Sequence, residues 1–183
     1  FERQISRWTK QYRASETETL SAMEALIEWL PANMPADDGR VALVHGDYRL
    51  DNVMWHPTEP RIIAVLDWEL STLGNPIADL AYQIMAWQLP RDAGINGMAG
   101  LERTALGIPS DEAYIERYCQ RTGRGVLEHW PFYMAFCFFR LAAIVQGVKK
   151  RALDGNASSA EASSRGDLVV PLAQLGLGYI AGQ

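Results

Sequence analysis

Three oxygen-bearing side chains, Asp47, Asn52 and Asp67, lie within a short stretch of the sequence. Magnesium prefers oxygen ligands in a tight octahedron and usually takes only one or two of them from protein. An amide oxygen from Asn52 and a carboxylate from Asp67 would suit it, while Asp47 could accept the proton of a hydroxyl group that attacks phosphorus. Arg49 could offset negative charge on the transferred group. The spacing therefore indicates phosphoryl transfer at a magnesium-bound phosphate.

Apolar runs around these residues predict the strands that position them. The runs lie at 41–44, 53–55 and 62–66. Pro57 and Pro60 separate the last two runs, and two prolines suit a turn but not the interior of a ladder. We therefore expect residues 52–56 to fold back on residues 61–66 as a hairpin. It would bring Asn52 and Asp67 to one end, and Asp47 would reach them from the preceding loop.

A longer motif surrounds the hairpin. The pattern H-G-D-x-x-x-x-N, followed by D-[WF]-[EDG], is matched at His45, Gly46, Asp47, Asn52, Asp67, Trp68 and Glu69. This motif resembles the catalytic loop of the aminoglycoside phosphotransferase and choline kinase-like families, which are relatives of protein kinases. Residues 41–90 look closest to phosphotransferase domains that occur alone in bacteria or joined to acyl-CoA dehydrogenases. The resemblance implies an α+β, mainly α fold: the C-terminal, helical lobe of a protein-kinase-like fold, with a small β-hairpin carrying the catalytic loop.

The resemblance also implies roles for further side chains. His45 would be a structural histidine that pins the loop backbone, and Asp79 would bond that backbone without touching substrate. Met54 and Leu66 would form an apolar floor under the adenine ring of ATP, although any protein core would also use such residues. For Arg49 two readings stay open: a phosphate contact, or a solvated or ion-paired arginine.

These features predict an ATP- and Mg²⁺-dependent phosphotransferase, an enzyme whose acceptor is a hydroxyl group of a small molecule. The nearest relatives favour an acyl-type or hydroxy-acid acceptor over an aminoglycoside, since the expected helix at 76–90 offers a polycation only one carboxylate, Asp79. The alternative is a noncatalytic kinase-like module that binds a metabolite or a partner protein. Retention of a base and two metal ligands counts against that alternative. A metal-dependent phosphohydrolase would need more ligands.

The sequence does not supply the elements with which kinases clamp a nucleotide. A Gly-rich strand turn and a strand lysine hold the phosphates in that fold. The only lysines are Lys10, Lys149 and Lys150, and none lies in a strand-like run. The chain also begins with Phe1. We therefore expect a fragment that lacks the N-terminal nucleotide lobe, is nearly inactive alone, and self-associates through the apolar surface that the lobe would cover.

Composition bounds the classes of protein that remain. A length of 183 residues suits one domain. We expect a helical lead-in at 1–40, the catalytic loop and metal-binding hairpin at 41–75, and a helical subdomain at 76–183. A net charge of −5 argues against a general nucleic-acid surface, which would need a basic patch. Cys119 and Cys137 fit buried free thiols in a reducing, cytoplasmic setting.

Helical periodicity accounts for most of the remaining chain. Helices are expected at about 1–12, 20–30, 76–89, 110–121, 131–150 and 167–180. Ser15 and Glu18 form a capping-box pattern before the second helix, which Pro31 should end. Residues 90–107 are read either as a lid over the acceptor or as a surface loop, and residues 154–166 as a mobile polar segment.

The stretch from Pro131 to Lys150 is apolar enough to suggest a membrane span. Arg140, near its middle, would cost about 2.5 to 3.5 kcal/mol in lipid. A central helix buried by its neighbours explains the stretch better, with Arg140 held by a carboxylate or carbonyl groups. We therefore expect no contact with a membrane.

Overall fold

The computed structural model describes residues 1–91, 97–156 and 166–181, and the described chain is mainly helical. The helices are α1 (Glu2–Ser15), α2 (Ser21–Ala32), α3 (Ile77–Trp87), α4 (Asp111–Thr122), α5 (Trp130–Leu153) and α6 (Val169–Ile180). The strands are β1 (Ala42–Val44), β2 (Val53–Trp55), β3 (Ile62–Val65) and β4 (Thr72–Gly74). The six expected helices and the expected hairpin are thus confirmed. Residues 90–107 were expected to form a lid or a surface loop, and residues 92–96 of this segment lie outside the described ranges. Residues 157–165 of the polar segment also lie outside them.

The chain divides into two compact units. One consists of Phe1–Asp38 and Pro131–Gln183, and the other of Gly39–Trp130. The second unit contains both sheets, α3 and α4, and therefore every residue of the expected site. The first unit is built from α1, α2, α5 and α6.

The core of the first unit is organised around α5. By length and composition α5 could cross a membrane, but 78% of its apolar window is buried inside the protein, as in the core helix of a globular fold. Its Arg140 is buried, and the guanidinium lies 5.3 Å from the centre of the Trp8 ring. This cation–π contact was not predicted from the sequence. Helix α6 packs against α2, and Gly176 permits its close approach to Leu26.

The second helix begins differently from the expectation. Helix α1 continues to Ser15, whose hydroxyl donates to the carbonyl groups of Gln11 and Tyr12. The capping-box prediction is therefore wrong, because this hydroxyl is already used within α1. Helix α2 starts at Ser21 without a side-chain cap, and Pro31 lies inside its last turn.

Two short antiparallel sheets shape the second unit. In the hairpin, Val53 pairs with Val65 and Met54 with Ala64, and the register shifts between Met54 and Trp55. The other sheet pairs β1 with β4, which was not predicted from the sequence. Thr72–Gly74 forms β4 because β1 pairs with its backbone. This pairing brings both ends of the segment 45–71 together.

Candidate active site

Within the loop between β1 and β2, the side chain of Asn52 is hydrogen-bonded to Asp47. The Asn52 amide nitrogen donates to the Asp47 carbonyl oxygen at 2.8 Å and to the Asp47 carboxylate Oδ2 at 2.9 Å. Asn52 is 7% exposed, so both bonds are shielded from water. Its side-chain oxygen makes no hydrogen bond within the described ranges. The two bonds fix the amide so that this oxygen remains available to a ligand.

The end of the hairpin brings Asp67 to the same loop. The Leu66 N–H donates to the Asn52 carbonyl oxygen at 2.8 Å, and the Leu66 carbonyl lies 2.7 Å from His45 Nε2. Asp67 follows at once, in the left-handed region with φ 64° and ψ 57°. Its side chain is exposed and has no hydrogen-bond partner among the residues that the structure describes. A residue other than glycine rarely adopts the left-handed backbone conformation, and such strained residues cluster at functional sites.

His45 connects the two halves of the site. Its Nδ1 accepts the Asp47 N–H at 3.2 Å, so the proton belongs on Nε2, which donates to the Leu66 carbonyl. The ring is 2% exposed and lies 4.7 Å from the Trp68 ring. The Trp68 indole N–H in turn donates to the Val65 carbonyl at 2.9 Å. With both nitrogens occupied by backbone, His45 holds the loop and is not free to act as an acid or base.

Helix α3 fixes the start of the loop through Asp79. Its carboxylate accepts the His45 N–H at 2.7 Å and the Gly46 N–H at 2.9 Å. Gly46 has φ 84°, and a Cβ there would lie 2.5 Å from the Leu70 carbonyl oxygen. Just before the helix, the Asn75 side-chain oxygen accepts the Ile77 N–H at 3.0 Å, which satisfies one N–H of the first turn. Asp79 thus bonds loop backbone, which is the contact that the family resemblance implies.

Arg49 is ion-paired within the loop. Its Nε lies 3.4 Å from Asp47 Oδ2, and one terminal nitrogen lies 3.0 Å from Asp51 Oδ2. Its side chain is 25% exposed. Of the two readings that the sequence left open, this structure shows the ion pair. A phosphate contact by Arg49 stays a prediction.

Met54 and Leu66 share one face of the hairpin. Met54 stands opposite Ala64, and Leu66 follows Ala64 by two positions, so the three side chains point the same way. Met54 is 46% exposed and Leu66 42%. Neither therefore belongs to the packed core of the described residues, and an apolar ring could lie against both. Nucleotide binding by this face stays a prediction.

The donor set around the loop suits magnesium. Among the described residues no three His, Cys, Asp or Glu side chains are grouped to hold a metal ion. Within the described part of the chain, the Asn52 amide oxygen and the Asp67 carboxylate make no hydrogen bond to protein. Mg²⁺ prefers a coordination shell with one or two protein oxygens that phosphate and water oxygens complete. The residues therefore fit this ion.

Sequence reasoning missed the residues that hold the loop beyond Asp47. Gln83, on α3, is 3% exposed, and in the amide orientation that satisfies both of its neighbours its nitrogen donates to the Tyr48 carbonyl. Burial raises the pKa of Tyr114, and nearby Tyr48 raises it further. Gln83 lies four residues after Asp79, and this helical spacing was the signal that could have identified it.

Taken together, the mainly helical fold and the loop carboxylate, amide and hairpin carboxylate are the arrangement expected of a phosphotransferase with a kinase-like fold. A family model described as "Phosphotransferase enzyme family" matches residues 1–136, and the chain belongs to this family.

Similar proteins carry this segment within longer chains. The chain is 52% identical over 174 residues to acyl-CoA dehydrogenase family member 10 of Mus musculus, covering 94% of this chain and 16% of that protein. It is 44% identical over 176 residues to family member 11 of Homo sapiens, covering 96% and 22%. A solved "putative aminoglycoside phosphotransferase" from Ralstonia eutropha superimposes with a TM-score of 0.94 at 52% identity, over 100% of this chain and 55% of that one. The chain thus spans about half of the solved relative and a smaller share of the other two.

Proposed function

We propose that this chain is the catalytic-loop lobe of an ATP- and Mg²⁺-dependent phosphotransferase that acts on a hydroxyl group of a small molecule. The observation that carries the proposal is the hydrogen-bonded Asp47–Asn52 pair, with Asp67 directly after Leu66, whose N–H donates to the Asn52 carbonyl. Family membership and the solved relative support phosphotransferase chemistry. The nucleotide lobe would come from the rest of the full-length protein.

Asp47 is the general base of the proposed reaction. Its Oδ2 accepts bonds from Asn52 and Arg49, while Oδ1 makes no hydrogen bond within the described ranges. The acceptor oxygen forms a bond to the γ-phosphorus, and the bond from that phosphorus to the β–γ bridging oxygen breaks. ADP leaves with the electron pair, and the acceptor's proton passes to Asp47.

Asn52 and Asp67 would hold the magnesium ion. When bound, the ion neutralises charge on the phosphates of ATP. Asn52 contributes its amide oxygen because its nitrogen is tied to Asp47. Asp67 contributes a carboxylate that the turn at the end of β3 presents to solvent. Arg49 supports the transferred charge, and Met54 and Leu66 form the floor under the adenine ring.

The acceptor in this proposal is an acyl-type or hydroxy-acid compound. Helix α3 carries a single carboxylate, Asp79, and the loop backbone already uses both of its oxygens. A polycationic aminoglycoside would therefore find no free carboxylate on this helix. The two curated relatives belong to acyl-CoA dehydrogenase families, which favours acyl chemistry in the same proteins.

The test uses the full-length protein with MgATP and a panel of hydroxy acids, hydroxyacyl compounds and aminoglycosides. ADP release should require a hydroxy compound, and Asp47→Asn should lower kcat by about 100-fold or more, because general base catalysis contributes that much. Glu59→Gln is the matched control: it also replaces a carboxylate by an amide, on the exposed hairpin turn. Unchanged turnover in Asp47→Asn would reject this base. Ligand binding without any ADP release would favour the noncatalytic module.

A further inference from the structure

Three side chains on α3 with hydrogen-bonding groups lie toward the catalytic loop and its surroundings. Asp79, Gln83 and Trp87 follow one another at intervals of four residues, so they lie along one side of the helix. Asp79 binds the backbone just before Asp47, as described above. Gln83 acts on the backbone just after it.

Gln83 makes two directed hydrogen bonds. In the amide orientation that satisfies both neighbours, its nitrogen donates to the Tyr48 carbonyl at 3.1 Å and its oxygen accepts the Trp87 indole N–H at 2.8 Å. The Trp87 indole nitrogen can only donate, so it determines which end of the amide faces the loop. Trp87 is itself held by the Tyr114 ring at 4.9 Å and by the guanidinium of Arg103 at 5.2 Å.

These contacts clamp Asp47 from both sides. Asp79 accepts the N–H groups of His45 and Gly46, which precede Asp47. Gln83 donates to the carbonyl of Tyr48, the residue after Asp47. Both anchors come from one helix, so rotation of the Asp47 backbone would break at least one of these bonds. A displacement of about 1 Å at a reacting group can cost about 100-fold in rate.

We propose that Gln83 is a positioning residue that sets the orientation of Asp47 through the Tyr48 carbonyl. The inference rests on the proposed function and adds a residue that does not touch substrate. A glutamine is required because one side chain must both donate to Tyr48 and accept from Trp87. A glutamate at this position could still accept from Trp87, but when ionised it could not donate to Tyr48.

The experiment compares Gln83→Glu and Gln83→Leu in the full-length protein, with MgATP and the acceptor found in the panel, or phosphate release to water if none is found. We expect kcat to fall about 10- to 100-fold in both, with KM for MgATP changed less than about threefold. In Gln83→Glu alone, kcat relative to the parent protein should recover as the pH falls, because a protonated carboxyl group regains a donor for Tyr48. A purely structural role would not restore kcat in this way.

Gln146→Glu is the matched control. Gln146 is also buried and also donates to a backbone carbonyl, but its acceptors are the Ser15 carbonyl, at 2.7 Å, and the Thr17 hydroxyl, at 3.1 Å. This variant should lose stability while its kcat per folded molecule stays unchanged. Unchanged kcat in both Gln83 variants, with activity lost in Asp47→Asn, would overturn the positioning role while leaving the proposed function intact.

Amide hydrogen exchange provides a readout that does not depend on turnover. In Gln83→Leu, exchange in the peptide 45–52 should accelerate about tenfold or more relative to the parent protein and to Gln146→Glu. If the parent protein shows no turnover, the proposed function fails, and faster exchange would still show that Gln83 holds the loop. Unchanged exchange would overturn the inference whatever the activity.

Discussion

At the scale of single residues, the backbone of the loop between β1 and β2 restricts which residues position 46 can accept. Gly46 combines φ 84° with a close approach to the Leu70 carbonyl, so Gly46→Ala meets both backbone strain and a clash with backbone. We expect the free energy of unfolding to fall by roughly 2 kcal/mol or more. Gly123→Ala is the control, since Gly123 has φ 62° but open space around its Cβ position, and should cost about 1 kcal/mol. Equal losses in urea denaturation would contradict the clash.

The buried Tyr12 makes the stability of the folded chain depend on pH in the alkaline range. Its side chain is fully buried, and its hydroxyl has no hydrogen-bond partner among the described residues. Burial, with Glu16 and Glu24 nearby, raises the pKa of Tyr12 from 10.0 to about 12. Between these values the unfolded chain loses a proton that the folded chain keeps, so the stability of the folded state falls as the pH rises.

Tyr12→Phe should remove this titration. At pH 8 we expect a free energy of unfolding equal to that of the parent chain or higher, because a buried hydroxyl without a partner is lost. Between pH 10 and 12 the variant should lose less stability than the parent chain. Urea denaturation at several pH values measures both effects. A steeper alkaline loss in the variant would show that the hydroxyl is not the titrating group.

At the scale of elements, the sequence predicted what is encoded locally. Two prolines between apolar runs predicted the hairpin, and apolar periodicity predicted the helices. The pairing of β1 with β4 was not predicted because it joins strands that are distant in sequence. Thr72–Gly74 also carries little apolar signal of its own. The capping box at Ser15 failed because α1 extended to include it.

Some residues of the candidate site could likewise be predicted from the sequence, and others could not. Residue types and spacing predicted Asp47, Asn52 and Asp67 as candidate site residues, since the chemistry of each side chain can be inferred from its type; their roles stay predictions. Gln83 was missed because its importance depends on which side of α3 meets the loop, and apolar residues cover most of that helix. Spacing from Asp79 becomes informative only once Asp79 is known to bind the loop.

Helix α6 offers a prediction at this scale, because it contains two glycines in different surroundings. A Cβ on Gly176 would lie 3.1 Å from Leu26 Cδ1 and 3.1 Å from Phe138 Cβ, whereas a Cβ on Gly178 would meet open space. Gly178→Ala should raise the free energy of unfolding by roughly 0.5–1 kcal/mol through helix propensity. Gly176→Ala should lower it, since Phe138 Cβ cannot yield without moving α5. Stabilisation by both substitutions in urea denaturation would contradict this close packing.

At the scale of the whole molecule, exposed apolar side chains concentrate in residues 41–73. They are Val41, Leu43, Leu50, Met54, Trp55, Ile62, Ile63, Leu66, Trp68 and Leu73. Leu43 and Leu73 stand directly opposite each other in the β1–β4 sheet and are 60% and 67% exposed. Grouped apolar surface of this kind marks an interaction site or a liability to associate. In the proposed full-length enzyme, part of it would lie under the nucleotide lobe.

The chain of 183 residues should therefore self-associate in solution. Light scattering over a range of concentrations should show a mass that rises above that of the monomer, because association buries this apolar surface. Leu73→Lys should shift the rise to about tenfold higher concentration, which corresponds to about 1.4 kcal/mol, since a charge would have to leave water. Val126→Lys is the control: Val126 is 92% exposed but lies outside residues 41–73, so the same change of charge should have little effect. A monomer at every concentration would reject self-association, and an equal shift in both variants would assign the effect to net charge.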